Sequence, residues 1–209
     1  MLLEAERALI VDHAGHLRPD GLVVGTAGNL SVRSGDFVAI TPTSVDYDAL
    51  DPGLVCVVGL DGVIVEGERA PSSELPMHLA VYRATDAAAI VHTHAPHATA
   101  LATVVDELPA IHYMIAELGG PVRVAPYATF GTDELAASVM HALAGRSAVL
   151  LRSHGTLTIG HSLEQAYWRS VLLEWLAALY YRAELLGTPR LIPTGELELV
   201  AEQLRALRS

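Results

Sequence analysis

The sequence predicts an α/β sandwich built on a mostly antiparallel sheet. Three observations carry this. Hydrophobic residues make up 51% of the 209 and charged residues 18%, a balance that excludes disorder and supports a well-buried core. Hairpin signals alternate with helix-period stretches along the chain. No Pro/Gly/Ser-rich linker divides it, so residues 1–209 read as one domain.

The elements follow in order. Residues 1–17 place Leu2, Leu3, Leu9, Ile10 and Leu17 among acids and bases, the pattern of an amphipathic helix. The turn Gly25 to Asn29 leads into strand-like Leu30 to Arg33, and Ser34-Gly35-Asp36 reverses the chain into Phe37 to Thr41. A second hairpin joins Leu54–Leu60 to Val63–Val65 through Asp61-Gly62, a favoured type I′ pair. A helix is expected over 73–84, with Pro76 in its first turn, where a missing N–H costs little. The apolar run Ala89 to Ala95 reads as a buried strand, followed by a helix over 96–104. Pro121 to Ala125 is a short strand, and Thr132 or Asp133 caps a helix reaching Leu143. A strand over 147–152 precedes Ser162-Leu163-Glu164-Gln165, a capping-box pattern that opens a long helix to 186, stopped by Gly187 and Pro189. A last helix covers 195–207.

Several function classes are disfavoured at once. The net charge of −11 argues against nucleic acid and anionic membrane surfaces as partners. No apolar run reaches the roughly 18–20 residues of a membrane span. Acids stand near Met1 where a signal peptide carries basic residues, so a cytoplasmic location is expected. Cys56, the sole cysteine, lies among apolar residues and reads as a small buried hydrophobe. Nucleotide-binding glycine motifs are absent.

The chemistry centres on His92-Thr93-His94 and His154-Gly155. Side chains alternate along a strand, so His92 and His94 point the same way. Two imidazoles on one face, joined by His154 at the end of a second strand, offer three nitrogen ligands with one position open, the pattern of a catalytic zinc. A His-x-His pair alone is more often without a metal. Glu74 opens a helix, where it is either a first-turn acid favoured by the dipole or a metal-adjacent general base. His78 shares its helix face and is read either as orienting Glu74 or as an interface residue. Gly28-Asn29, Thr41-Pro42-Thr43-Ser44 and Ser72-Ser73 are polar turns; each is ordinary turn chemistry alone and suited to a phosphate if gathered. Tyr113 is a core or interface aromatic, or a general acid or base. His13, His16, His141 and His161 read as surface residues.

Taken in order, the strings Gly25-Thr26-Ala27-Gly28-Asn29-Leu30-Ser31-Val32-Arg33, Ile40-Thr41-Pro42-Thr43, Pro71-Ser72-Ser73-Glu74, Val91-His92-Thr93-His94, Ile111-His112-Tyr113-Met114-Ile115, Pro126 to Thr132 and His154-Gly155 resemble the class II aldolase/adducin family, most closely its fuculose-phosphate-cleaving branch. The resemblance spans nearly the whole chain. It implies an α/β/α domain assembling into a homotetramer with active sites between subunits, and one Zn²⁺ per subunit on His92, His94 and His154. It implies Glu74 as the acid/base, Gly28, Asn29, Thr43, Ser44, Ser72 and Ser73 around the substrate phosphate, and Tyr113 reaching a neighbouring subunit's site. The implied reaction is reversible cleavage of a ketose 1-phosphate, L-fuculose 1-phosphate or a 5-deoxypentulose 1-phosphate, to dihydroxyacetone phosphate and a short aldehyde. Two departures stand out: Ser44 replaces a glycine, and the tail Arg205 to Ser209 lacks a closing tyrosine. The alternatives are a pentulose-5-phosphate 4-epimerase, whose pattern has Asp where Glu74 stands, and a non-catalytic adducin-like interaction module, which lacks the histidines.

Overall fold

A computed structural model of the chain describes residues 1–207; the last two residues of the tail, Arg208 and Ser209, lie outside them. The strands are β1 (Asn29–Ser34), β2 (Phe37–Ile40), β3 (Cys56–Gly59), β4 (Ile64–Glu66), β5 (Ala89–Thr93), β6 (Glu107–Leu108), β7 (Val122–Ala125), β8 (Ala148–Leu151) and β9 (Gly155–Gly160). The helices are α1 (Glu4–Leu17), α2 (Leu75–Ala84), α3 (Pro96–Ala102), α4 (Asp133–Leu143), α5 (Leu163–Leu186) and α6 (Thr194–Ala206). The strands form one nine-stranded sheet in the order β4-β3-β2-β1-β5-β9-β8-β7-β6. The sheet is mixed but mostly antiparallel, as the hairpins require; β7 and β8 run parallel.

Period-two alternation splits the strand residues between two cores. Leu30, Val32, Ala89, Val91, Ala148 and Leu150 pack with α1, α3, α5 and Leu197 of α6. Val38, Ile40, Val58, Ile90, Val149 and Leu157 pack with α2 and α4. This is the three-layer α/β/α arrangement. None of the helices among the described residues is long and apolar enough to cross a membrane.

The elements match their sequence signals closely. Thr132 caps α4 by accepting from the Leu135 N–H at 3.2 Å, and Ser162 caps α5 by accepting from Gln165 at 3.2 Å. Cys56 is fully buried.

Two expectations change. The Asp61-Gly62 pair does not form a type I′ turn. The Gly62 N–H donates to the Gly59 carbonyl at 2.9 Å, so the turn spans Gly59–Gly62, and Gly62 at φ +91° takes the left-handed place that follows a type I turn. The second concerns β9, which occupies a stretch to which the sequence reading assigns no element. Gly155 to Gly160 alternates Thr156 and Thr158 with Leu157 and Ile159, and its two threonines disguise a strand that lies between β5 and β8. Their hydroxyls are satisfied inside: Thr156 Oγ1 pairs with Thr93 Oγ1 at 2.7 Å, and Thr158 Oγ1 donates to the Ala166 carbonyl at 2.8 Å. Short elements at Tyr47–Ala49, Glu107–Leu108 and Tyr113–Leu118 also lack a clear signature.

Candidate metal centre and its cleft

β5 ends at Thr93, with His92 fully buried and His94 one residue beyond. β8 is turned into β9 by Leu151–His154, closed by the His154 N–H on the Leu151 carbonyl at 3.1 Å, with Ser153 left-handed at φ +54°. The turn delivers His154 beside the β5 pair. The three imidazoles stand mutually edge-on, with centroids 4.9 Å, 4.9 Å and 5.0 Å apart. Gly155 is required here, because a Cβ would run into the Thr93 carbonyl and stand 3.1 Å from His94 Cδ2.

Glu74 completes the group. It holds the N-cap place of α2 yet makes no side-chain capping bond; its carboxylate turns inward, with Oε2 2.8 Å from His92 Nε2 and Oε1 3.1 Å from His154 Nε2. The three imidazoles and this carboxylate thus place four possible donor atoms within 4.8 Å of one another. Asn29, directly opposite His92 in the β1–β5 ladder, donates from Nδ2 to Glu74 Oε2 at 3.0 Å.

The donor chemistry fits a divalent cation. His92 Nδ1–H donates to the Thr156 carbonyl at 2.7 Å, which leaves Nε2 of the neutral ring as a lone pair. That lone pair faces a Glu74 oxygen, another acceptor, at 2.8 Å, with His94 Nε2 3.0 Å away, an arrangement that a cation among them would satisfy. Glu74 Oε1 is buried without a hydrogen bond. Burial pushes the Glu74 carboxyl up, but the facing imidazoles of His92 and His154 outweigh this and hold it ionised, well below its ordinary range. Burial, helped by His92 and His154 against Glu74, pushes His94 down to about 4, keeping its ring neutral for ligation at pH 7.

Beside the cluster lies a cleft of about 320 Å³ lined by Gly28, Asn29, Thr43, Ser44, Ser72, Ser73, Glu74, His94 and His154. The polar turns that are scattered in sequence meet here. A bridge between Pro42 and Pro71 ties the two hydroxyl-bearing loops together, with the Ser72 N–H on the Thr41 carbonyl and the Thr43 N–H on the Ala70 carbonyl, both at 3.0 Å. Gly28, at φ +80°, packs against β5 so closely that a Cβ would stand 2.7 Å from the His92 carbonyl oxygen. Ser44 has φ +56°, the conformation glycine would hold without strain.

Residues to which the sequence assigns no role join the cleft: Ser153, and Tyr127 and Phe130 at its rim, each 62% exposed. The Thr156 carbonyl that orients His92 is a backbone group without any side-chain signal. Tyr113 is not brought to this cleft. It begins the 3₁₀ segment Tyr113–Leu118, is half-exposed, and stacks obliquely on His112 with centroids 4.7 Å apart.

Comparison with known proteins agrees with this geometry. Residues 8–181 match the family described as the class II aldolase and adducin N-terminal domain. A 5-deoxy-D-ribulose 1-phosphate aldolase of Bacillus thuringiensis serovar kurstaki is 42% identical over 206 residues, covering 97% of each chain. The L-fuculose phosphate aldolase of Escherichia coli K12 is 41% identical, over 94% of this chain and 92% of the other. A solved L-fuculose 1-phosphate aldolase superposes with a TM-score of 0.94 at 41% identity, covering 96% of each chain.

Proposed function

The chain belongs to the class II aldolase and adducin family and is a metal-dependent aldolase, a lyase, and we propose that it reversibly cleaves a 5-deoxypentulose 1-phosphate or L-fuculose 1-phosphate into dihydroxyacetone phosphate and a short aldehyde. The observation that carries this reading is the meeting of a Glu/His₃ cluster with a hydroxyl-lined pocket in one cleft.

Zn²⁺ held by His92, His94 and His154 would supply Lewis-acid stabilisation of the negative charge that develops at the substrate carbonyl. The chain's own residues do the rest. Gly28, Asn29, Thr43, Ser44, Ser72 and Ser73 hold the phosphate, which fixes C3 and C4 relative to the carboxylate. When the C4 hydroxyl loses its proton and the C3–C4 bond breaks, the aldehyde leaves and its electron pair stays on the three-carbon fragment. Glu74 delivers a proton to C3 of that fragment, and in the condensation direction it removes that proton. Ionised Glu74 suits the base role.

Tyr113 takes the C4 hydroxyl proton in the site of a neighbouring copy. Its exposure and its distance from its own cleft support an assembly, a homotetramer in this reading, with sites at subunit boundaries. The reading treats residues 1–209 as one catalytic unit in the cytoplasm, acting on a small sugar phosphate.

Zinc-loaded protein given dihydroxyacetone phosphate and acetaldehyde or lactaldehyde is expected to form a ketose 1-phosphate, and to release dihydroxyacetone phosphate in reverse. Glyceraldehyde 3-phosphate should be a poorer acceptor, because the cleft is lined by the aromatic Tyr127 and Phe130 and by no Lys or Arg for a second phosphate. Equal use of unphosphorylated dihydroxyacetone would overturn the phosphate assignment, and isomerisation without release would favour an epimerase. For the subunit boundary, mixed oligomers of Tyr113→Phe and His94→Ala chains should regain activity absent from either parent. Proven subunit exchange without recovery would mean that each site is built from one chain.

A further inference from the structure

Behind Glu74 a line of polar side chains runs into the core between the sheet and α2. Asn29 Nδ2 lies 3.0 Å from Glu74 Oε2, His78 Nε2 lies 2.5 Å from Asn29 Oδ1, and Ser31 Oγ lies 2.7 Å from both His78 Nδ1 and the Tyr82 hydroxyl. Asn29 is 4% exposed, Ser31 and His78 0%, and Tyr82 1%. Water therefore does not compete for these groups.

The direction of every bond follows from its first member. Asn29 turns its Nδ2, which only donates, to Glu74 and its Oδ1 to His78. That oxygen only accepts, so His78 must carry its proton on Nε2. A neutral ring then has a lone pair on Nδ1, which takes the Ser31 hydroxyl proton, and Ser31 in turn accepts from Tyr82. Burial, with the nearby charge of His92 acting against Glu74, pushes His78 down to about 3, so the ring is neutral at working pH. All four donors are aimed toward Glu74. An asparagine carboxamide cannot hand a proton along such a line, so its effect is to orient.

We infer that His78 is a positioning residue: its Nε2–H fixes which way the Asn29 carboxamide faces, and Asn29 thereby aims the Glu74 carboxylate at the reacting carbon. The inference rests on the aldolase reading for its kinetic consequence. The same bond commits one Asn29 N–H to Glu74 and leaves the other for the substrate phosphate. With the His78 donor removed, the carboxamide can rotate and set its oxygen against the carboxylate, and Glu74 loses its fixed direction.

Two variants separate aiming from mere filling of the core. The terminal amide of Gln reaches the place of His Nε2, whereas that of Asn reaches only the place of Nδ1. His78→Asn is expected to lower kcat about 10–100-fold, and His78→Gln to recover most of that loss. Equal kcat in the two variants, whatever their thermal stability, would overturn the inference. A measurement on the wild-type holoprotein stands independently of turnover and of how the variants fold. Nitrogen-15 NMR of labelled histidine should find His78 protonated on Nε2 and bare on Nδ1 at neutral pH. The opposite tautomer, or an imidazolium, would overturn the inference. Absence of any aldol reaction by the wild type would instead sink the substrate reading, while the tautomer would still decide whether His78 donates to Asn29.

Discussion

Glu74→Gln is expected to lower turnover by about 10²–10⁴ with the fold intact. The substitution keeps the size of the side chain and removes the titrating group. Glu74 ends no helix-capping bond, so its replacement leaves the start of α2 held as before, with the Glu74 N–H on Ser72 Oγ at 3.2 Å. The buried Glu74 carboxylate accepts from Asn29 Nδ2 at 3.0 Å, and the carbonyl oxygen of Gln can still accept that bond. A large fall in kcat beside a small change in melting temperature is the signature of a group used in the reaction. Near-normal turnover would return Glu74 to the role of a helix-start acid.

Stripping the metal is expected to abolish activity and to lower thermal stability together. An ion present at 100 times its dissociation constant stabilises the folded chain by about 2.7 kcal/mol. For a protein of this length that corresponds to roughly 5–11 °C in melting temperature. The physical source lies in the cluster: without a cation, the His92 Nε2 lone pair confronts the Glu74 carboxylate at 2.8 Å. Chelation followed by Zn²⁺ should restore both properties. Elemental analysis showing active protein free of metal would sink the assignment of His92, His94 and His154.

Much of this architecture is legible in the residues. His92 and His94 announce a shared face through strand periodicity alone, and Thr132, Ser162 and Gly187 mark helix ends through capping chemistry. Other parts are not legible, for specific reasons. His154 lies far from His92 in sequence, and only the β5–β9 and β8–β9 ladders bring it near; its signals are the apolar strand that ends just before it and the order of the motifs. β9 escaped notice because two buried threonines give a core strand a polar composition, although its strict alternation was there to be read. The residues alone leave Glu74 open between a metal-adjacent base and a first-turn acid, since an acid at a helix start has a sufficient electrostatic reason to be there. The Thr156 carbonyl and the left-handed Ser44 and Ser153 are backbone facts, and side-chain identity carries little of them.

The closing turn of β8 into β9 has a consequence for how the protein acquires its ion. Of the four donors, Glu74, His92 and His94 fall within one short stretch of chain, while His154 arrives only when β9 zips against β5 in register, His92 opposite Leu157. A slip of one residue would turn β9's inner face outward and carry His154 away. Such pairing between distant segments is the slow part of folding, because the loop must close before its contacts reward it. The complete ligand set therefore exists only once the sheet is assembled in register.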